Sequence, residues 1–195
     1  MFEYFAVYLR DKAGLNDEEL KLMASVTIVK KLRKRQYLLQ EGDISCYNCF
    51  IVKGCLRMYR ISKDGSEHIL RFAVENWWIG DYESYNTGQP TKNNIDALED
   101  SELLLIKKEN LNALFQAIPK LQIFKERLEA KNFDVSQNRI LSNISETAEE
   151  KYNNFIKSYP QIYNRVPLHM IASYLGVSRE TLSRVRHQFA RQSSK

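Results

Sequence analysis

VPLHMIASYLGVSRETLSRVRHQF, residues 166–189, decides how the chain is read. Leu168, Ile171, Ala172 and Leu175 fall at i, i+3, i+4 and i+7, one apolar face of a short helix. Pro167 suits its first turn, where a missing N–H is harmless, and Gly176 can take positive φ and stop it. Ser178 then offers a capping hydroxyl, and Leu182, Val185 and Phe189 give a second helix its apolar stripe. Two short helices around one glycine, with the small Ala172 at their crossing, predict a helix-turn-helix. The outward face of the second helix carries Arg179, Glu180, Ser183 and Arg184, all able to bond base edges or phosphates.

Charge placement agrees with that reading. The net charge is +5, and residues 165–195 hold six basic side chains against Glu180 alone, so the rest of the chain is neutral. A neutral body with a basic end is the electrostatic footprint of a DNA-reading module joined to something else. Hydrophobic residues at 44% and charged residues at 27% describe a globular chain. No window is apolar enough to span a membrane, and the N-terminus lacks a secretory signal pattern, so a cytoplasmic protein without membrane association is expected.

Upstream, a helical start around Asn16–Met23 gives way to short runs rich in aromatic and β-branched residues: 49–52, 55–61, 68–72, 94–98 and 102–106. Turn signals separate them at Glu41-Gly42-Asp43, Lys53-Gly54 and Asp64-Gly65, which predicts an antiparallel β-roll or sandwich. From Pro119 the pattern is helical. Leu121, Leu128 and Val135 recur every seven residues, with Phe124 between, which predicts a helix that pairs with a copy of itself over its first half. A break at Ser142–Ser145 precedes a further helix over 146–158. The fold class expected is α+β: an N-terminal antiparallel jelly-roll-like sensor roll (1–117), a dimerisation helix (118–143) and an all-α helix-turn-helix domain (144–195).

This order of parts resembles the Crp/Fnr family of bacterial transcription regulators. Three groups of residues carry the resemblance: the turns Glu41-Gly42-Asp43 and Ile51-Val52-Lys53-Gly54, the Ile79-Gly80-Asp81 step, and Val177-Ser178-Arg179-Glu180-Thr181-Leu182-Ser183-Arg184. It implies that Arg179 and Arg184 read guanines and Glu180 a cytosine amino group, with Ser178, Thr181 and Ser183 on phosphates or as caps. Glu180 also stands four residues before Arg184 and can hold it in place. It implies as partners double-stranded DNA, a second copy of the chain, RNA polymerase and a small-molecule effector. The effector position aligns with Gly80, Asp81, Thr91 and Lys92. In cyclic-nucleotide binders of the family an arginine stands where this chain has Thr91, and no arginine occurs between Arg71 and Arg127. Lys92 is adjacent, but a point charge does not reproduce a planar fork. The long helix also lacks Ser and Thr between Lys120 and Val135. A divergent member unresponsive to cyclic AMP is therefore expected. Many members follow the recognition helix with a β-hairpin wing, and the few residues after Phe189 imply a reduced one.

Cys46, Cys49 and Cys55 are one short of an all-cysteine iron–sulfur site, and are expected to be buried structural thiols, with no metal or cofactor. Trp77, Trp78, Tyr82 and Tyr85 are read as roll core or as the lining of a pocket. His68, His169 and His187 show no nucleophile–base spacing, so no enzyme is expected. The rival reading is a small-ligand-binding or protein-interaction module whose helix-turn-helix binds no DNA. It calls for a charge-poor outer face on the second helix.

Overall fold

The computed structural model describes residues 1–192, with side chains through Phe189. The expected reduced wing lies outside that description.

The chain opens with two helices, α1 (Phe2–Ala13) and α2 (Asp17–Val26). Asn16 starts α2 through a capping box: its side chain accepts from Glu19 N at 2.9 Å while Glu19 accepts from Asn16 N at 2.8 Å. Then come β1 (Thr27–Leu32), β2 (Tyr37–Leu39), β3 (Tyr47–Lys53), β4 (Leu56–Ile61), β5 (Glu67–Ala73) and β6 (Trp78–Ile79). A one-and-a-half-turn helix, α3 (Tyr82–Thr87), leads to β7 (Asn94–Ala97) and β8 (Ser101–Lys107). The strands form two antiparallel four-stranded sheets, in the orders β1-β8-β3-β6 and β2-β7-β4-β5. This is the α+β roll expected, with α1 as an element the sequence reading missed. Phe5 of α1 sits 4.6 Å from the Phe50 ring and 5.6 Å from the Trp78 ring, closing one end of the roll.

The roll interior is filled by Cys49, Ile51, Leu56, Met58, Ile79, Ile95 and Leu103. Gly54 is a point of close approach: it holds φ at 116°, and a Cβ there would fall 2.1 Å from Ser101 Oγ. Cys49 and Cys55 are buried as expected, and burial pushes the Cys55 thiol up to about 12 and the Cys49 thiol higher still. Cys46 departs from that expectation; it is exposed, because it lies in the loop ahead of β3 rather than in a strand.

After the roll, α4 (Lys108–Ala117) turns into the long α5 (Pro119–Ser145), followed by α6 (Ala148–Ser158), α7 (Pro160–Tyr163), α8 (Leu168–Leu175) and α9 (Arg179–Gln192). The break expected at Ser142–Ser145 falls later, since α5 runs through Ser145 and Thr147 caps α6 by a box with Glu150.

Of the three residues expected on the α5 seam, Leu121 and Leu128 pack within the chain, and the third, Val135, is exposed. Leu121 and Phe124 are buried in the core formed with α1, α2 and α4, and Leu128 is half-buried against it. These residues face the chain's own roll. Exposed along α5 are Ile123, Phe133, Ile140, Leu141 and Ile144, and Phe133 also borders the cavity between α5 and the roll. Positions 119, 123, 126, 130, 133, 137, 140 and 144 alternate steps of four and three, a heptad seam in its own right.

The C-terminal helices do not stand apart from the roll. Tyr59, Ile69 and Phe72 of β4 and β5, with Val74 just past β5, share one apolar cluster with Tyr152, Phe155, Ile171, Leu175 and Leu182. Arg57 lies at the edge of this contact, buried, with its guanidinium on Asp96 (2.8 Å) and Glu67 and 4.0 Å from the Tyr59 ring centroid. Ser173 Oγ accepts from Ile69 N at 3.0 Å and donates to Glu67 O at 2.9 Å, adding α8 to the edge of β5. Arg139 reaches from α5 to the Ile69 and Leu70 carbonyls of β5 and to Tyr174 O of α8. Arg165, ahead of α8, pairs with Glu75 (2.8 Å) and Glu99 of the roll.

Candidate nucleic-acid interface and sensor cavity

The helix-turn-helix is built locally. Gly176 ends α8 at φ 67°, a conformation costly for any residue with a Cβ, and redirects the chain within two residues. Ser178 Oγ accepts from Thr181 N at 3.1 Å and contacts Thr181 Oγ1 at 3.0 Å, so these hydroxyls cap α9. Ile171, Ala172 and Leu175 of α8 bury against Leu182 and Val185 of α9, which fixes the rotation of α9 about its axis. Arg179, Glu180 and Arg184 are consequently exposed, and Ser183 is half-buried beside them. No ion pair engages Arg179, Glu180 or Arg184 among the described residues, so the i+4 contact between Glu180 and Arg184 is not made. The Glu180 backbone N–H and the Ser178 hydroxyl hold the Glu180 carboxyl below the usual carboxylate range, so it is charged at neutral pH.

The second feature is a cavity of about 650 Å³ between the roll and α5. Trp78, Tyr85, Phe115, Phe124, Leu128 and Phe133 supply its apolar walls. Of the four positions aligned with the family's effector site, Gly80 and Asp81 line it, Thr91 is buried behind Asp81, and Lys92 is exposed. Asp81 is engaged already. It caps α3 by accepting from Ser84 N at 3.2 Å, and it accepts from Asn93 Nδ2 at 2.8 Å and from Thr91 Oγ1. Burial alone would raise its pKa, but these donors outweigh burial and hold the carboxyl low. Thr91 is pinned in turn, its backbone exchanging hydrogen bonds with Gly42 (2.9 Å) and Asp43 (2.7 Å), which is where the Glu41-Gly42-Asp43 turn docks. The cavity residues that sequence reasoning missed are Arg71, Asn132, Phe115 and Phe133. Nothing local marks them, because a β5 arginine and two helices separated in sequence meet only through the fold.

A roll of two four-stranded sheets, a long helix and a helix-turn-helix follow one another along the chain. Residues 29–117 match the model for the cyclic nucleotide-binding domain. The chain is 28% identical over 187 residues to the fumarate nitrate reduction regulatory protein of Klebsiella oxytoca, covering 90% of this chain and 74% of that one. It is 23% identical over 189 residues to the cyclic AMP receptor protein of Thermus thermophilus, covering 91% and 83%. Among solved structures, FixK2 from Bradyrhizobium japonicum superposes with a TM-score of 0.76 at 20% identity over 86% of each chain. Over about nine-tenths of its length the chain is similar to regulators of the Crp/Fnr type. These relatives are transcriptional regulators rather than enzymes, and no described helix is long and apolar enough to cross a membrane.

Proposed function

We propose that the chain is a homodimeric, cytoplasmic transcription regulator that reads an inverted-repeat DNA site through α9, contacts RNA polymerase, catalyses no reaction and does not answer to cyclic AMP. The observation that carries this is the outer face of α9, where Arg179, Glu180 and Arg184 are exposed and unpaired while the opposite face is locked in the core. Arginine's fork matches guanine O6 and N7, and a carboxylate accepts from cytosine N4. Ser178 and Thr181 are used as caps in this arrangement, which leaves them to position rather than to specify. The rival module without DNA binding requires a charge-poor outer face, and Arg179, Glu180 and Arg184 occupy that face.

Selection from random DNA tests the reading. It is expected to return two inverted half-sites about one helical turn apart. Arg179→Ala and Arg184→Ala should each cost about 1–3 kcal/mol on the selected site and relax preference at one base pair. Glu180→Ala removes a negative charge from a surface facing a polyanion, so non-specific binding should strengthen while selectivity falls. Base reading by Glu180 is wrong if that variant selects an unchanged sequence and weakens all DNA equally.

Independence from cyclic AMP has a separate basis. The aligned arginine position is Thr91, and its hydroxyl, with Asn93, is committed to Asp81. Calorimetric titration with cyclic AMP or cyclic GMP should give no heat of binding at physiological concentrations. Micromolar affinity would refute it.

A further inference from the structure

The cavity under α5 has one charge that nothing answers. Four charged residues line it: Arg71, Asp81, Lys125 and Glu129. Asp81 is saturated by its three donors, and Lys125 pairs with Glu129 at 3.4 Å along the helix. Arg71, on β5, makes no ion pair among the described residues. Its one hydrogen bond is a long contact of 3.4 Å from Nη2 to Asn132 Oδ1 on α5. Burial lowers its pKa, a mark of a guanidinium that has lost water without gaining a carboxylate.

We propose that this cavity binds a small apolar monocarboxylate, an aryl- or acyl-substituted acid, with its carboxylate on Arg71 and its apolar body between Trp78, Phe115 and Phe124. The volume of about 650 Å³ lies within the range of small-molecule sites. Walls of that composition favour a hydrocarbon body, and a single unpaired arginine fork matches a single carboxylate through two parallel hydrogen bonds. The site also reaches the helix-turn-helix. Arg71 lies within electrostatic range of Tyr174 of α8 and Tyr159, and Phe133 is among the exposed residues of α5. An acid that draws Arg71 toward itself changes what Asn132 and the α8 docking face contact. The inference rests on the proposed reading of the chain as a transcription regulator.

The test uses the full chain without DNA, so loss of acid binding and loss of operator binding are separate results. Phenylacetate, 4-phenylbutyrate, indole-3-acetate and octanoate are titrated by calorimetry, each beside its primary amide. At least one acid should bind saturably, one per chain, with Kd below about 1 mM, and its amide at least about tenfold more weakly, as expected when a charge-assisted pair is lost. Arg71→Gln should weaken the acid at least about tenfold and leave the amide unaffected; thermal melting checks that the variant is folded. Leu128→Trp, which fills the cavity and leaves Arg71 in place, should abolish binding of both and covers the case in which Arg71→Gln does not fold. Four results overturn the proposal: no acid saturating, acid and amide binding alike, unchanged affinity in folded Arg71→Gln, or displacement of a bound acid by cyclic AMP.

Discussion

Gly54→Ala is expected to destabilise the roll by about 3–5 kcal/mol, enough to unfold a marginal domain, because two independent costs fall on one methyl group. The first is conformational: Gly54 sits at φ 116°, outside the regions that residues with a Cβ enter without strain. The second is steric, since the added Cβ would lie 2.1 Å from Ser101 Oγ, 2.5 Å from its Cβ and 2.8 Å from its Cα. Ser101 cannot step aside. It is 2% exposed and lies at the start of β8, in register with Leu32 of β1. The damage spreads further, because Gly54 N donates to Glu75 Oε1 at 2.7 Å and Glu75 is a partner of Arg165. Urea unfolding followed by Trp77 and Trp78 fluorescence is the measurement. Ser101→Gly in the Gly54→Ala background removes the two shortest contacts and leaves both the backbone contact and the φ strain, so it should restore only part of the loss. A midpoint for Gly54→Ala within error of the unaltered chain would show that the turn has slack these distances do not reveal.

How much of this was legible beforehand depended on whether the signal is local. The Gly176 stop, the Ser178 cap and the stripe of Leu182 and Val185 lie within one short stretch, and the structure has them as read. Arg57 shows the opposite case. In a strand pattern a charged residue reads as solvent-facing, yet Arg57 is 7% exposed because Asp96, Glu67 and the docked α8 cover it. Those partners come from 10 to 113 residues away, so no local window contains them. The same holds for the cavity: Gly80 and Asp81 were found through the resemblance, but Arg71 and Asn132 meet only after β5 and α5 are packed. Helix α1 was missed because its aromatics at positions 2, 4, 5 and 8 make no clean stripe; Phe5 and Leu9 become core while Tyr4 stays exposed.

Helix α5 carries two heptad-spaced apolar sets, and periodicity cannot say which one meets a partner. Leu121, Phe124 and Leu128 meet the roll. Ile123, Phe133, Ile140 and Ile144 are 49%, 64%, 55% and 80% exposed, a loss that a lone helix would carry with no compensation. The proposed homodimer therefore closes on this second set, and Phe133→Asp/Ile140→Asp should convert it to monomer. In a two-fold interface every substitution counts twice, so the double variant strips four apolar side chains from the seam. At about 1.5–3 kcal/mol for each buried large apolar side chain, the loss is about 6–12 kcal/mol before the repulsion of four carboxylates is added. That exceeds what a dimer stable at micromolar concentration can spare, since a Kd of 1 μM corresponds to about 8 kcal/mol. Sedimentation should report about twice 22.9 kDa for the unaltered chain and a single chain for the variant. Binding to a two-fold DNA site should collapse to that of one half-site, while the melting temperature of the roll stays close to normal because neither residue belongs to its core. Leu128→Asp separates the two faces. It lies against the α1 and α4 core, so it should lower the stability of the chain itself, and any loss of dimer should follow from unfolding. If Leu128→Asp yields a folded monomer and Phe133→Asp/Ile140→Asp remains a dimer, the contact runs along the first seam and the roll must release α5 to form it.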